Sequence, residues 1–297
     1  MNWLVTAVLA TVFFAFFALF SRLSTFQSPL ISNLIICATL AICAIFLAFT
    51  MDGKRSLSKE AIASGILSNL ALLAILYMLI SNQILVVFSF VSFSSVVFFL
   101  VMLAFDKPQL SNKQKSIALA GISVSTLGLF LASTSTAGGI STLLNSAINP
   151  YFLLLAPVIP TGAGLWAYLS FVAIKKTKVN VSTVFLNYSL SAFATALMGY
   201  LILGLSSPAP HLSRLDGFPI IAGLFVSMGT ILILKSYEII SGGSRIEETI
   251  VAVLSNGEII PLIFISYFVL REFTVEGLVG AFTVFVGLAI LNSARSA

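Results

Sequence analysis

Apolar runs of about 20 residues, separated by brief polar stretches, recur along the whole chain, and a helix of that length crosses a hydrocarbon core about 30 Å thick. Read with the turn signals between them, these runs predict about ten spans, at roughly 3–21, 29–50, 60–80, 84–105, 115–133, 151–173, 182–204, 217–239, 249–270 and 277–293. Some connections are as short as Ser81-Asn82-Gln83, so consecutive helices should be antiparallel neighbours. A β-barrel is excluded, because its strands would alternate apolar and polar residues over about 10 positions. The fold class expected is an all-α polytopic membrane protein.

The longest uncharged connection, at 133–150, reads STSTAGGISTLLNSAINP and is the natural join between two halves. It divides the chain into a first five-helix unit at 1–134, a connecting loop at 135–149 and a second five-helix unit at 150–297. The halves echo one another in order. Leu76-Tyr77-Met78-Leu79-Ile80-Ser81 corresponds to Ser236-Tyr237-Glu238-Ile239-Ile240-Ser241, and Ser92 through Asp106 to Glu258 through Glu272. Gly121 and Gly128 in the fifth span match Gly280 and Gly287 in the tenth, while Asn33 and Asn187 sit alike in the second and seventh. Five spans is an odd number, so the second half enters from the opposite side: two inverted repeats, an arrangement found in transporters with a site near the midplane.

Composition agrees with the membrane reading: the 297 residues are 59% hydrophobic and 8% charged, with a mean hydropathy of +1.11. A net charge of +5 could suggest nucleic acid, but the basic residues are scattered over short loops and set topology instead. With the N-terminus inside, eleven Lys and Arg fall on the cytoplasmic side and only Arg22, Arg214 and Arg271 outside, which places both termini in the cytoplasm of a cell-membrane protein. Cys37 and Cys43 lie six apart in one run and cannot bridge locally. The first span lacks a basic leader and an A-x-A site, so it reads as a retained helix.

Within this apolar background the ionisable and amide side chains stand out. Glu258 lies nine residues into Thr249–Glu272, about 14 Å along a helix and close to the midplane. A carboxylate facing lipid at that depth is costly, so it must be protonated, paired or turned to a polar cavity. Helical spacing puts Ser255, Glu258 and Ser266 on one side, with Asn256 adjacent, and Pro261 is expected to free backbone carbonyls toward the cavity. Asn33, Asn69, Asn187 and Tyr188 need polar partners at depth, either in neighbouring helices or in a cavity that Asn33 and Asn187 face from opposite sides. Trp166 and Tyr168 could stack on a flat solute or simply pack. Ser92 is the counterpart of Glu258 in a span rich in serine, with Ser89, Ser94 and Ser95. Lys235 either pairs with Glu238 three residues on or projects into the cavity toward an anionic group.

A span ending in an acidic residue, a short polar turn and a span with two glycines seven apart occur twice, in Glu272-Phe273-Thr274 with Gly280 and Gly287, and more loosely from Asp106 to Ser111 with Gly121 and Gly128. With Trp166-Ala167-Tyr168 in the opening span of the second half, this pattern resembles the EamA-type drug/metabolite transporter family over essentially the whole chain. The resemblance implies ten helices in two inverted repeats, a central cavity and alternating access. The chain departs from the pattern at Glu258, where Ile259 follows and the proline comes at Pro261, and at Asn33, which stands where an arginine is common.

Enzyme motifs are missing: the single histidine, His211, excludes an HExxH site, and neither GxSxG nor a P-loop occurs. The expectation is a secondary carrier for a small organic solute, with no cofactor and no metal. Its site residues are Glu258, Asn256, Ser255, Asn187, Tyr188, Asn33, Trp166, Ser92 and Lys235. Proton coupling, uncoupled exchange, and a non-transporting role in lipid handling or assembly remain open alternatives.

Overall fold

In hydrocarbon an unpaired backbone amide or carbonyl is so costly that a long apolar run closes its polar groups by coiling into a helix. The computed structural model describes residues 2–24, 28–50, 56–82, 84–106, 111–134, 154–204, 216–240, 258–271 and 274–293, and every regular element among them is helical. In chain order these are α1 (Trp3–Leu23), α2 (Pro29–Thr50), α3 (Lys59–Ser81), α4 (Ile84–Ser92), α5 (Ser94–Asp106), α6 (Asn112–Thr134), α7 (Val158–Thr177), α8 (Val181–Gly204), α9 (Phe218–Ile240), α10 (Ile259–Phe264) and α11 (Val275–Ser293). A π-helical turn, Ile265–Leu270, continues α10.

Counting α4 and α5 together, eight of these helices are long and apolar enough to cross a membrane, and Ile259–Leu270 and Val275–Leu291 are shorter apolar stretches. The burial pattern is that of a protein solvated by lipid. On α2, Ile42, Phe46 and Phe49 face outward while Ser32, Asn33 and Ala44 are buried. Polar capping is confined to helix ends. Asn2 accepts from Leu4 N–H at 3.1 Å, and Ser111 and Gln114 bond each other's amides reciprocally at 3.2 and 2.9 Å ahead of α6.

The fourth span is divided at Phe93, where the Val96 amide reaches back only three residues, to the Phe93 carbonyl at 2.9 Å. Four buried serines surround that point, and the Ser89 hydroxyl donates to the Leu85 carbonyl at 2.7 Å, the kind of side-chain competition that bends a helix. In the sixth span residues 154–155 are helical, a turn follows at 156–157, and the long helix starts at Val158, with Pro157 as its N-cap and Pro160 in its first turn, where a missing amide costs nothing; residues 151–153 lie outside the described ones. Pro261 likewise occupies the first turn of α10, and the residues before Glu258, whose carbonyls it was expected to free, lie outside the described ones.

The helices pair across the chain rather than with their sequence neighbours: α1 packs on α9, α3 on α7, α2 on α8 and α6 on α11. Each pair joins a segment before residue 135 to one after 153. In the α6–α11 pair the matched glycines meet. A Cβ on Gly121 would stand 2.5 Å from the Leu291 nitrogen, and one on Gly128 would stand 2.4 Å from the Val284 nitrogen. The contact index falls along α11 as it rises along α6, so the two run antiparallel at backbone contact distance, which only small residues permit. The connecting loop expected at 135–149 lies outside the described residues.

Candidate functional site

α6 and α11 pair with each other, while α1, α2, α3, α4, α7, α8 and α9 line a cavity of about 80 Å³, room for several waters or a small solute. Each wall helix contributes residues at helical spacing. Examples are Phe14 and Phe17 from α1, Ser68, Asn69, Leu72 and Ile75 from α3, Tyr188 and Ala192 from α8, and Val226, Thr230 and Ile233 from α9. Cys37 of α2, Phe88 of α4 and Trp166 of α7 complete the aromatic and sulfur surface, and Glu258 stands in the turn just before α10.

The polar groups at the wall fall into two sets. One is satisfied: the Asn33 amide donates to Asn69 Oδ1 at 2.9 Å, the Cys37 thiol donates to the same oxygen at 3.4 Å, and the Ser68 and Tyr188 hydroxyls are 2.9 Å apart with Thr230 beside Tyr188. These bonds tie α2 to α3 and α3 to α8. The other set is open. Glu258 is only 1% exposed, yet its Oε2 has no hydrogen-bond partner among the described residues, and neither have the buried indole nitrogen of Trp166 and the buried hydroxyl of Thr230. No lysine, arginine or histidine lines the cavity among the described residues, so Glu258 is its one acidic group and is unopposed by a base. α10 holds Glu258 by packing on α1, α4 and α11, with Ile259 and Leu262 buried and the Leu262 amide on the Glu258 carbonyl at 3.0 Å.

Of the residues picked out in the sequence, Glu258, Trp166, Tyr188 and Asn69 line the cavity, and Asn33 sits behind Asn69 as its donor. Asn187 does not face the cavity opposite Asn33. Its amide donates to the Ser56 carbonyl at 2.8 Å, because one residue's rotation from Tyr188 turns it toward the start of α3. Ser92 is buried at the end of α4, next to the lining residue Val91 but not at the wall itself. Lys235 pairs with Glu238 on α9, the two side chains 45% and 37% exposed, so it takes the surface pairing rather than the cavity. Tyr168 packs on Phe98 and Phe105, away from the cavity. Ser255 and Asn256 lie outside the described residues. The residues that the sequence did not mark are Phe14, Phe17, Cys37, Ser68 and Phe88. Ser68 carried a faint signal, as neighbour of Asn69 on a face continuing through Leu72 and Ile75, but a phenylalanine in an apolar helix carries none.

Ser92 and Glu258, matched between the halves, both stand at helix ends: α4 stops at Ser92, α10 starts after Glu258, and the two elements touch. A protein solved by crystallography superposes on 100% of this chain and 99% of its own, with a TM-score of 0.65 and 12% identity, a likeness that shows the fold alone. No protein-family model and no curated protein matches the chain.

Proposed function

We propose that the protein is a secondary carrier that moves a small organic solute across a cell membrane by alternating access between two inverted five-helix halves, as its resemblance to EamA-type drug/metabolite transporters implies. The observation that carries this reading is the buried Glu258 oxygen, without a partner among the described residues, at the wall of a cavity built from both halves. A buried carboxyl oxygen without a partner among the described residues suits a group that takes up a ligand or a proton during a cycle. The reciprocal pairing supports the repeat: exchanging the halves turns the α1–α9 pair into α3–α7 and leaves α2–α8 and α6–α11 as themselves. Helix interruptions at corresponding points near the site are a recurrent feature of inverted-repeat carriers. The basic residues favour cytoplasmic termini.

If Glu258 takes proton and solute in turn, inward and outward movements of the two are coupled. Among the described residues, the other titratable side chains at the wall are Cys37 and Tyr188. The test is reconstitution in proteoliposomes with labelled solutes of several classes. Wild type should exchange at least one of them faster than protein-free vesicles, and Glu258→Gln should slow that exchange about ten-fold or more, the worth of one charge-assisted contact. A cysteine at position 258 should react with a membrane-impermeant thiol reagent in the wild-type fold. Exchange unaffected by Glu258→Gln removes Glu258 from the mechanism, and a cysteine there that never meets an aqueous reagent rules out the carrier.

A further inference from the structure

We propose that the cavity recognises an organic amine with an aromatic or otherwise apolar body and no anionic group, its ammonium on Glu258 and its body among the rings of Phe14, Phe17, Phe88 and Trp166. This inference rests on reading the cavity as the solute site, and it adds the chemical class of the solute.

The unopposed charge selects the ligand's sign. Glu258 is 1% exposed, and no basic side chain lines the cavity among the described residues. A solute that brings one positive charge neutralises the acid in a low-dielectric setting, where a charge-assisted hydrogen bond is roughly twice as strong as a neutral one. A solute that brings a carboxylate or phosphate meets repulsion from Glu258 and finds no cation to receive it. Zwitterionic amino acids therefore lose at one end what they gain at the other.

The wall selects the body. α10 packs on α1 and α4, the helices that carry Phe14, Phe17 and Phe88, so the acid is flanked by ring-bearing elements. Phe17 and Phe88 are edge to face at 6.3 Å, Phe14 meets Trp166 at 6.5 Å, and Trp166 lies 6.1 Å from Tyr188, a run of aromatic surface across the cavity. Aromatic faces attract cations within about 6 Å of the ring centre and accept flat apolar groups. Sugars and nucleosides need many hydrogen-bond partners, and here Asn69, Ser68 and Tyr188 already bond protein groups. The indole nitrogen of Trp166 and the Thr230 hydroxyl are the buried donors at the wall without a partner among the described residues, which suits one neutral acceptor such as a phenol or ether oxygen on the amine.

A matched series on the detergent-purified full chain tests this: phenethylamine, phenylalanine, phenylacetate and phenethyl alcohol, read by thermal unfolding and equilibrium binding. Phenethylamine should raise Tm in a saturable way and the other three should not at equal concentration. Glu258→Gln should weaken phenethylamine about ten-fold or more. Should that variant unfold, Glu258→Asp keeps the charge and must keep the preference for the amine. Trp166→Phe retains the ring and should weaken tyramine more than phenethylamine. Phenylalanine or phenylacetate binding as well as the amine overturns the assignment, as does a flat response to both amines or an undiminished affinity in Glu258→Gln. The two proposals fail separately: Glu258-dependent amine binding with no exchange in proteoliposomes ends the carrier reading alone, whereas Glu258-dependent exchange confined to anionic or zwitterionic solutes ends this one alone.

Discussion

Asn33, Asn69 and Glu258 illustrate how polar side chains behave when water is scarce. The Asn33 amide donates to Asn69 Oδ1 at 2.9 Å with both residues buried; removing Asn69 strands that amide, and removing Asn33 leaves Asn69 Oδ1 only the weaker Cys37 thiol at 3.4 Å. Asn69→Leu should therefore lower stability by about 1–2 kcal/mol, Asn33→Leu by a similar amount, and the double variant by less than their sum by about 0.5–1 kcal/mol. A double-mutant cycle of unfolding in detergent measures the coupling, and strict additivity would show that the pair is not formed. Glu258 is the contrasting case: it is as deeply buried, yet its Oε2 has no hydrogen-bond partner among the described residues. The depth of these residues was legible in the sequence, since an amide or acid inside a 20-residue apolar run has to be accounted for. Which partner each took was not, because a rotation of about 100° per residue sends Asn187 to the Ser56 carbonyl and Tyr188 to the cavity.

Among the elements, α6 and α11 show what small residues do between helices in lipid, where apolar burial gives no preference for protein over solvent and close packing has to hold the pair. A Cβ on Gly280 would fall 2.2 Å from the Ala132 nitrogen, a backbone atom that cannot turn aside. Gly280→Ala should destabilise by about 1–3 kcal/mol as the helices are forced apart. Gly199, inside α8, has nothing within 4 Å of its built Cβ, so Gly199→Ala should be neutral or stabilising by about 0.5–1 kcal/mol through a stiffer unfolded chain. Opposite signs for two identical substitutions, read as Tm shifts in detergent, check the packing; equal effects would mean that the α6–α11 contact is looser than described. The seven-residue glycine spacing was visible in the sequence, but that the two glycine pairs face each other follows only from the antiparallel crossing.

For the whole molecule, the pairing of α1 with α9 offers a direct test, because it joins the two halves. The hydroxyls of Thr6 and Ser236 are 2.6 Å apart, so Thr6→Cys with Ser236→Cys, in a background with Cys37 and Cys43 replaced by alanine, should cross-link on mild oxidation. Under alternating access the oxidised protein should lose most solute exchange and regain it on reduction; full exchange with the link in place would mean that the halves do not separate there. By itself the sequence determined the solvent of this protein, the approximate extent of its helices and the presence of an acid at depth. Length, hydropathy and the cost of an unpaired backbone in hydrocarbon are properties of one segment at a time. It could not determine which helices pair, where the fourth span breaks, or that Phe14, Phe17 and Phe88 join Glu258 around one cavity, because in helices apolar on every side the face that turns inward is chosen by its neighbours.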